Sequence, residues 1–211
     1  MITMLHADCM EYMAGLPDKA FELAIVDPPY GIGISGNPVR QQHKKKTWDE
    51  NVPEGKYFSE LFRVSKNQIV WGGNYFNLTA SQGFVVWDKK QPEDFSLAMC
   101  EYAWSSIQSP AKIFRQSVIE ERGKIHPTQK PVALYKWLLS RYAKPGDKIL
   151  DTHGGSGSIC IACHDLGFDL TWMELDADYY KAACKRYKDH AAQATLFEPT
   201  ENIQPVQGKL L

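Results

Sequence analysis

The 211-residue sequence has no apolar run near the roughly 18 residues that a membrane-spanning helix requires, so no spanning helix is expected. Residues 1–6 also lack the basic and apolar regions of a signal peptide, and a cytoplasmic location is expected. Cysteine is sparse. Cys9, Cys100, Cys160, Cys163 and Cys184 are odd in number and scattered, which fits reduced thiols and excludes a disulfide framework. Cys160 and Cys163 have metal-like spacing, but no second Cys or His pair follows, so helical core packing and no metal site are expected. An excess of one charge is missing as well. The formal net charge of −1 gives no global attraction to nucleic acid, so phosphate contacts would have to come from local basic clusters.

What is present is an ordinary globular mixture, 44% apolar and 23% charged, long enough for one sizeable core. One domain is expected over residues 1–190, followed by a tail at 191–211. Short apolar runs at 2–7 and 21–26 flank a helix-like stretch at 10–16. A helix at 56–65 precedes a buried strand at 68–71, and runs at 84–87 and 101–105 suggest an antiparallel pair. Helices at 132–142, 158–166 and 177–190 then alternate with strands at 148–150 and 170–173. Repeated strand–helix units imply an α/β fold with a doubly wound, mostly parallel sheet. Residues 31–53 and 106–131 read as long loops or a small insert, and loops of that length are candidates for substrate contact.

Two turns carry chemistry. Asp151-Thr152-His153-Gly154-Gly155-Ser156-Gly157-Ser158 follows a strand and opens a helix, where glycines let backbone amides approach a cofactor. Glu174 ends the next strand, in position to accept hydrogen bonds from both ribose hydroxyls of an adenosine-type cofactor. Asp27-Pro28-Pro29-Tyr30 ends an earlier strand and is stiffened by its prolines. Its carboxylate and a proline carbonyl can accept hydrogen bonds from an amino group and draw the lone pair out of conjugation, and Tyr30 offers a face for stacking. A bare glycine turn and an Asp-capped strand end are the plainer alternatives.

The tetrapeptide Asp27–Tyr30 resembles the Asp/Asn/Ser-Pro-Pro-Tyr/Phe motif of the amino-methyltransferases that modify adenine or cytosine in DNA. Asp151–Ser158 is similar to that family's cofactor turn, departing from it at Thr152, His153 and Ser158. The motif order resembles the permuted beta group. In that group Thr128, Gln129 and Lys130 of His126-Pro127-Thr128-Gln129-Lys130-Pro131 would lie near the methionine carboxylate, and Asp8, with Cys9 beside it, would meet the cofactor's adenine. The resemblance implies a seven-stranded Rossmann-like sheet with one antiparallel strand and circularly permuted motif order. It also implies S-adenosylmethionine as cofactor, with Asp151, His153, Gly155, Ser156, Gly157, Ser158 and Glu174 around it, and direct methyl transfer to a flipped base.

Asp27 in first place favours adenine N6 in a bacterial or phage restriction-modification setting. Cytosine N4, an RNA amine, a protein glutamine and a non-catalytic DNA- or cofactor-binding subunit are the alternatives. Segments 31–53 and 90–125 are the expected DNA contacts, with Arg40, Lys44, Lys45, Lys46, Lys89 and Lys90 as phosphate-binding candidates or else solvated charges. Trp71-Gly72-Gly73-Asn74-Tyr75-Phe76 could wall a base pocket or belong to the core. Residues 193–197, Gln193-Ala194-Thr195-Leu196-Phe197, resemble a sliding-clamp docking peptide, with a tail packed on the sheet as the plainer reading; a homodimer would suit the short DNA-reading region.

Overall fold

The structure, a computed structural model, describes residues 1–34, 46–94, 98–118 and 123–193. Strands β1 (Ile2–His6), β2 (Phe21–Val26), β3 (Ser65–Trp71), β4 (Phe84–Asp88), β5 (Cys100–Ser105), β6 (Lys112–Arg115), β7 (Lys148–Asp151) and β8 (Asp169–Glu174) form one sheet. Their order is β1-β8-β7-β2-β3-β5-β4-β6. Only β5 runs against its neighbours among these strands, pairing Val70 with Trp104 on one side and Val86 with Tyr102 on the other.

Helices α1 (Cys9–Ala14) and α2 (Gly55–Val64) cover one face, and α3 (Val132–Tyr142), α4 (Ser158–Leu166) and α5 (Ala177–Ala191) cover the other. Alternation along β2 explains why both faces are apolar. Leu23 and Ile25 join the core beneath α3 and α4, while Ala24 and Val26 join Met13, Tyr57, Phe58 and Leu61 from α1 and α2.

The helix ends follow local chemistry. Asp8 caps α1 by accepting from the Met10 amide at 2.7 Å, so that helix begins at Cys9. Asp176 caps α5 through the amides of Asp178 and Tyr179 at 2.9 and 3.1 Å. β1, first in the chain, pairs in parallel with β8, and α5 packs on both, so the last helix leads back towards the first strand as the permuted order requires.

The sheet has eight strands where seven were expected. The additional one, β6, lies within the stretch read as loop and pairs in parallel with β4. A four-residue edge strand with exposed Lys112, Ile113 and Arg115 buries too little to leave a period-two signal.

Candidate active site

Because β1, β8, β7, β2 and β3 are mutually parallel, their carboxyl ends open on the same edge of the sheet. Asp8, Glu174, the Asp151 turn and Asp27 therefore stand along one crevice, a cleft of about 1920 Å³. That exceeds the roughly 300–1,000 Å³ of an ordinary small-molecule pocket and leaves room for two bound groups.

One half of the cleft is built on β7 and β8. Gly154 donates to the Met173 carbonyl at 2.8 Å, and a Cβ at Gly154 would drive into the Trp172 indole, so this turn can lie against β8 only as glycine. Glu174 accepts from the amides of Gly155 at 2.8 Å and Asp176 at 2.7 Å, and burial raises its pKa nonetheless. Asp151 lies beneath the turn, off the cleft surface. Burial pushes its carboxyl up to about 8, against the hydrogen bond from the His153 amide at 3.1 Å. His153 lines the cleft but points its Nδ1 at Thr152 Oγ1, 3.0 Å away, and burial pulls its pKa down to about 4. The Thr152 hydroxyl is held in turn by Tyr57, 2.7 Å away. Cys9 is on the wall beside Asp8, and burial drives its thiol up to about 12, an unreactive form.

Besides Asp151, two more of the residues expected at the cofactor face elsewhere. Gly157 packs against Ala183, and Ser158 bonds to Ser156 and to the Arg186 guanidinium, which places both against α5 rather than the cleft. The reason is positional: Gly157 caps α4 and Ser158 already belongs to its first turn.

The other half is built on β2. Asp27 Oδ1 accepts from the Tyr30 hydroxyl at 2.6 Å, and Oδ2 accepts from Lys130 Nζ at 2.5 Å. Tyr30 stacks on Tyr75 with centroids 5.0 Å apart and meets Phe76 edge-on. Gly72, at φ +69°, makes that position possible, because any Cβ there would strike the Tyr30 ring. The segment after Trp71 thus supplies both a wall (Tyr75, Phe76) and the clearance for it.

Two residues missed in the sequence complete this half. Asp49, 1% exposed, gathers the turn: Oδ1 accepts from the amides of Tyr30 at 2.7 Å and Gly31 at 3.1 Å, and Oδ2 from Ile34 at 2.8 Å. Glu101 on β5 binds Lys130 at 3.1 Å and Lys89 at 2.7 Å. Nothing in the local pattern marks either acid, since their partners are far away in the chain.

Thr128, Gln129 and Lys130 do line the cleft, but Lys130 departs from its expected place. Thr128 Oγ1 lies 3.1 Å from His126 Nδ1, and Gln129 Oε1 accepts from the Ile125 amide at 3.1 Å. The ammonium of Lys130 is inserted between Asp27 and Glu101, because two buried carboxylates demand a counter-ion.

Lys89 and Lys46, expected at phosphates, are likewise engaged. Lys89 is buried against Glu101 and Trp87, and Lys46 bonds to Asp176 at 2.6 Å and Asp178 at 2.9 Å. Lys90 is exposed. Arg40, Lys44, Lys45 and residues 194–197 of the clamp-like peptide lie outside the described residues.

Comparison with known proteins agrees with this geometry. The family model described as DNA methylase (N6/N4 methyltransferase) matches residues 70–185, more than half of the chain. A protein named as a methylase, YubD of Escherichia coli strain K12, is 24% identical over 88% of this chain and 90% of its own length. Among solved structures, M1.HpyAVI in complex with SAM superposes with a TM-score of 0.61 and 21% identity, covering 88% of this chain and all of that one. The cytosine-N4-specific DNA methyltransferase PvuII superposes with a TM-score of 0.62 and 13% identity, covering 90% of each chain. On the match of the family model, which spans the Asp151 turn and Glu174, the chain belongs to the N6/N4 DNA methylase family.

Proposed function

We propose that this methylase uses S-adenosylmethionine to methylate the N6 amine of adenine in DNA, acting on a base flipped out of the duplex. The donor set suits the cofactor: the Glu174 carboxylate beside a glycine turn, the exposed apolar Leu175 next to it, and Gly155 and Ser156 on the cleft wall. Glu174, Gly155, Ser156, Asp8 and Cys9 would hold it, with Thr128 and Gln129 on the opposite wall. When bound, it supplies an electrophilic methyl group on a sulfonium.

The chain's own residues do the rest. Asp27 and the Pro28 carbonyl accept the N–H groups of the amine, which localises its lone pair on nitrogen. Tyr30 and Tyr75 stack on each other, and the base is assigned to a face of this pair that the two rings do not share. One observation carries the reading: the Asp27 carboxylate and Glu174 belong to a single cleft, so an amine donor and a nucleoside cofactor can meet there.

The cytosine-N4 reading has a specific support in the PvuII likeness, since one fold serves both amines. Asp in the first position of the turn weighs towards adenine. Purified protein, methylation-free genomic DNA and isotopically labelled S-adenosylmethionine decide between them: mass spectrometry of the nucleosides should find labelled N6-methyladenine. Labelled N4-methylcytosine in its place would transfer the assignment to cytosine. Segments 31–53 and 90–125, of which Ile32, Asn51, Gln91 and Lys124 line the cleft and Lys90 is exposed, are proposed to meet the DNA.

A further inference from the structure

We propose that Lys130 and Glu101 are positioning residues of the catalytic turn: the chain Asp27–Lys130–Glu101–Lys89 fixes the Asp27 carboxylate as the amine's acceptor. This rests on the assignment of Asp27 above and extends it to residues that touch neither amine nor cofactor.

The four groups come from four places in the fold. Asp27 follows β2, Lys89 follows β4, Glu101 is on β5, and Lys130 immediately precedes Pro131, the N-cap of α3. Lys130 Nζ lies 5.1 Å from the Trp71 ring centroid on β3, so its stem passes over that strand and joins β2 to β5. Its side chain is 2% exposed, and its ammonium bonds to Asp27 at 2.5 Å and Glu101 at 3.1 Å. Lys89 closes the chain on Glu101 at 2.7 Å, giving two cations for two carboxylates. A neutral group of this kind tolerates burial, while the loss of one member leaves an uncompensated charge.

The backbone behind Lys130 is itself braced. The Gln129 amide donates to the His126 carbonyl at 3.2 Å, and Gln129 Oε1 accepts from the Ile125 amide at 3.1 Å. The ammonium is therefore a fixed point from which Asp27 is held. With its contacts made to Asp27, Glu101 and the Tyr30 hydroxyl, 3.4 Å away, Lys130 serves the turn and not the methionine carboxylate.

Burial raises the pKa of the Asp27 carboxyl, and the groups that face it modulate that shift. Lys130 before α3 favours its ionised form and Glu101 on β5 opposes it, while Tyr30 on its own turn donates to it. Asp151 of β7, Tyr57 of α2 and Tyr135 of α3 are the further titratable groups around it. Lys130→Met should therefore move the acid limb of kcat to higher pH, and Glu101→Gln should move it to lower pH.

Glu101→Gln, Lys130→Met and Asp27→Asn are to be compared by tritiated methyl transfer to methylation-free genomic DNA and by calorimetric titration with S-adenosylmethionine. Glu101→Gln should lower kcat on the order of 10- to 100-fold, the effect of a misplaced reacting group, while the cofactor Kd stays within about twofold. If Lys130→Met does not fold, as a melting curve will show, the near-isosteric Glu101→Gln carries the test. Unchanged kcat and pH limb in Glu101→Gln, with Asp27→Asn inactive, would overturn this inference alone. A cofactor Kd weakened more than about tenfold at unchanged kcat would also overturn it, by returning the network to cofactor binding. Full activity in Asp27→Asn would instead remove the assignment of Asp27 on which it stands.

Discussion

Asp49 places a single carboxylate on three backbone amides, those of Tyr30, Gly31 and Ile34. In Asp49→Ala those half-buried and exposed donors lose their acceptor and water replaces part of it, a change that costs on the order of 1 kcal/mol in stability. The turn they belong to would also lose its fixed shape, so the rate of methyl transfer should fall while cofactor affinity, which we assign to Glu174 and the glycine turn, holds. Thermal melting and steady-state kinetics with calorimetry separate the two effects. At this scale the sequence is legible only where residues act through their neighbours in the chain. Asp27 to Tyr30 and Asp151 to Glu174 could be read because each turn is local. Asp49 and Glu101 could not, because their roles exist only after folding brings amides and ammoniums to them.

At the scale of elements, the strands and helices with strong periodicity were legible, and the antiparallel pairing of β4 with β5 followed from the missing crossover helix between them. β6 was not, since an exposed edge strand looks like loop. Segment 46–53 was also read as loop, yet it is tied down at both ends of the site: Lys46 reaches Asp176 and Asp178 at the start of α5, and Trp48 packs on His126. Asp176 thus caps α5 and anchors a distant segment with one side chain. Asp176→Ala should cost about 1 kcal/mol for the cap alone. It should also speed hydrogen exchange of the amides around Lys46 to Asp49, and unchanged exchange there would show that the cap does not act on the segment.

For the whole molecule, the doubly wound architecture was foreseen because alternating strand–helix units admit few topologies, and the permuted order because the segment order resembles that of the beta group. The surface charge was not, because lysines count alike in a sequence whether they face solvent or a buried acid. Stability against pH is a property at this scale. The Asp151 carboxyl is raised in the folded chain from an ordinary value of 3.8 to about 8, so the native state keeps a proton that the unfolded chain releases. Its contribution is full below pH 3.8 and is lost as pH rises towards 8. Without cofactor, the melting temperature should therefore fall less between pH 5 and pH 8 in Asp151→Asn than in the parent; parallel curves would refute this.

Before any substrate arrives, both oxygens of Asp27 already hold donors, the Tyr30 hydroxyl and the Lys130 ammonium. On the role proposed for the turn, an amine that reaches it trades places with a hydroxyl, and a trade of one hydrogen bond for another yields little net binding. Grip on the polymer must come from elsewhere, from contacts with the sugar-phosphate chain, while the turn's share is felt in rate. Free amines in solution, lacking such contacts, have nothing with which to displace the resting tyrosine.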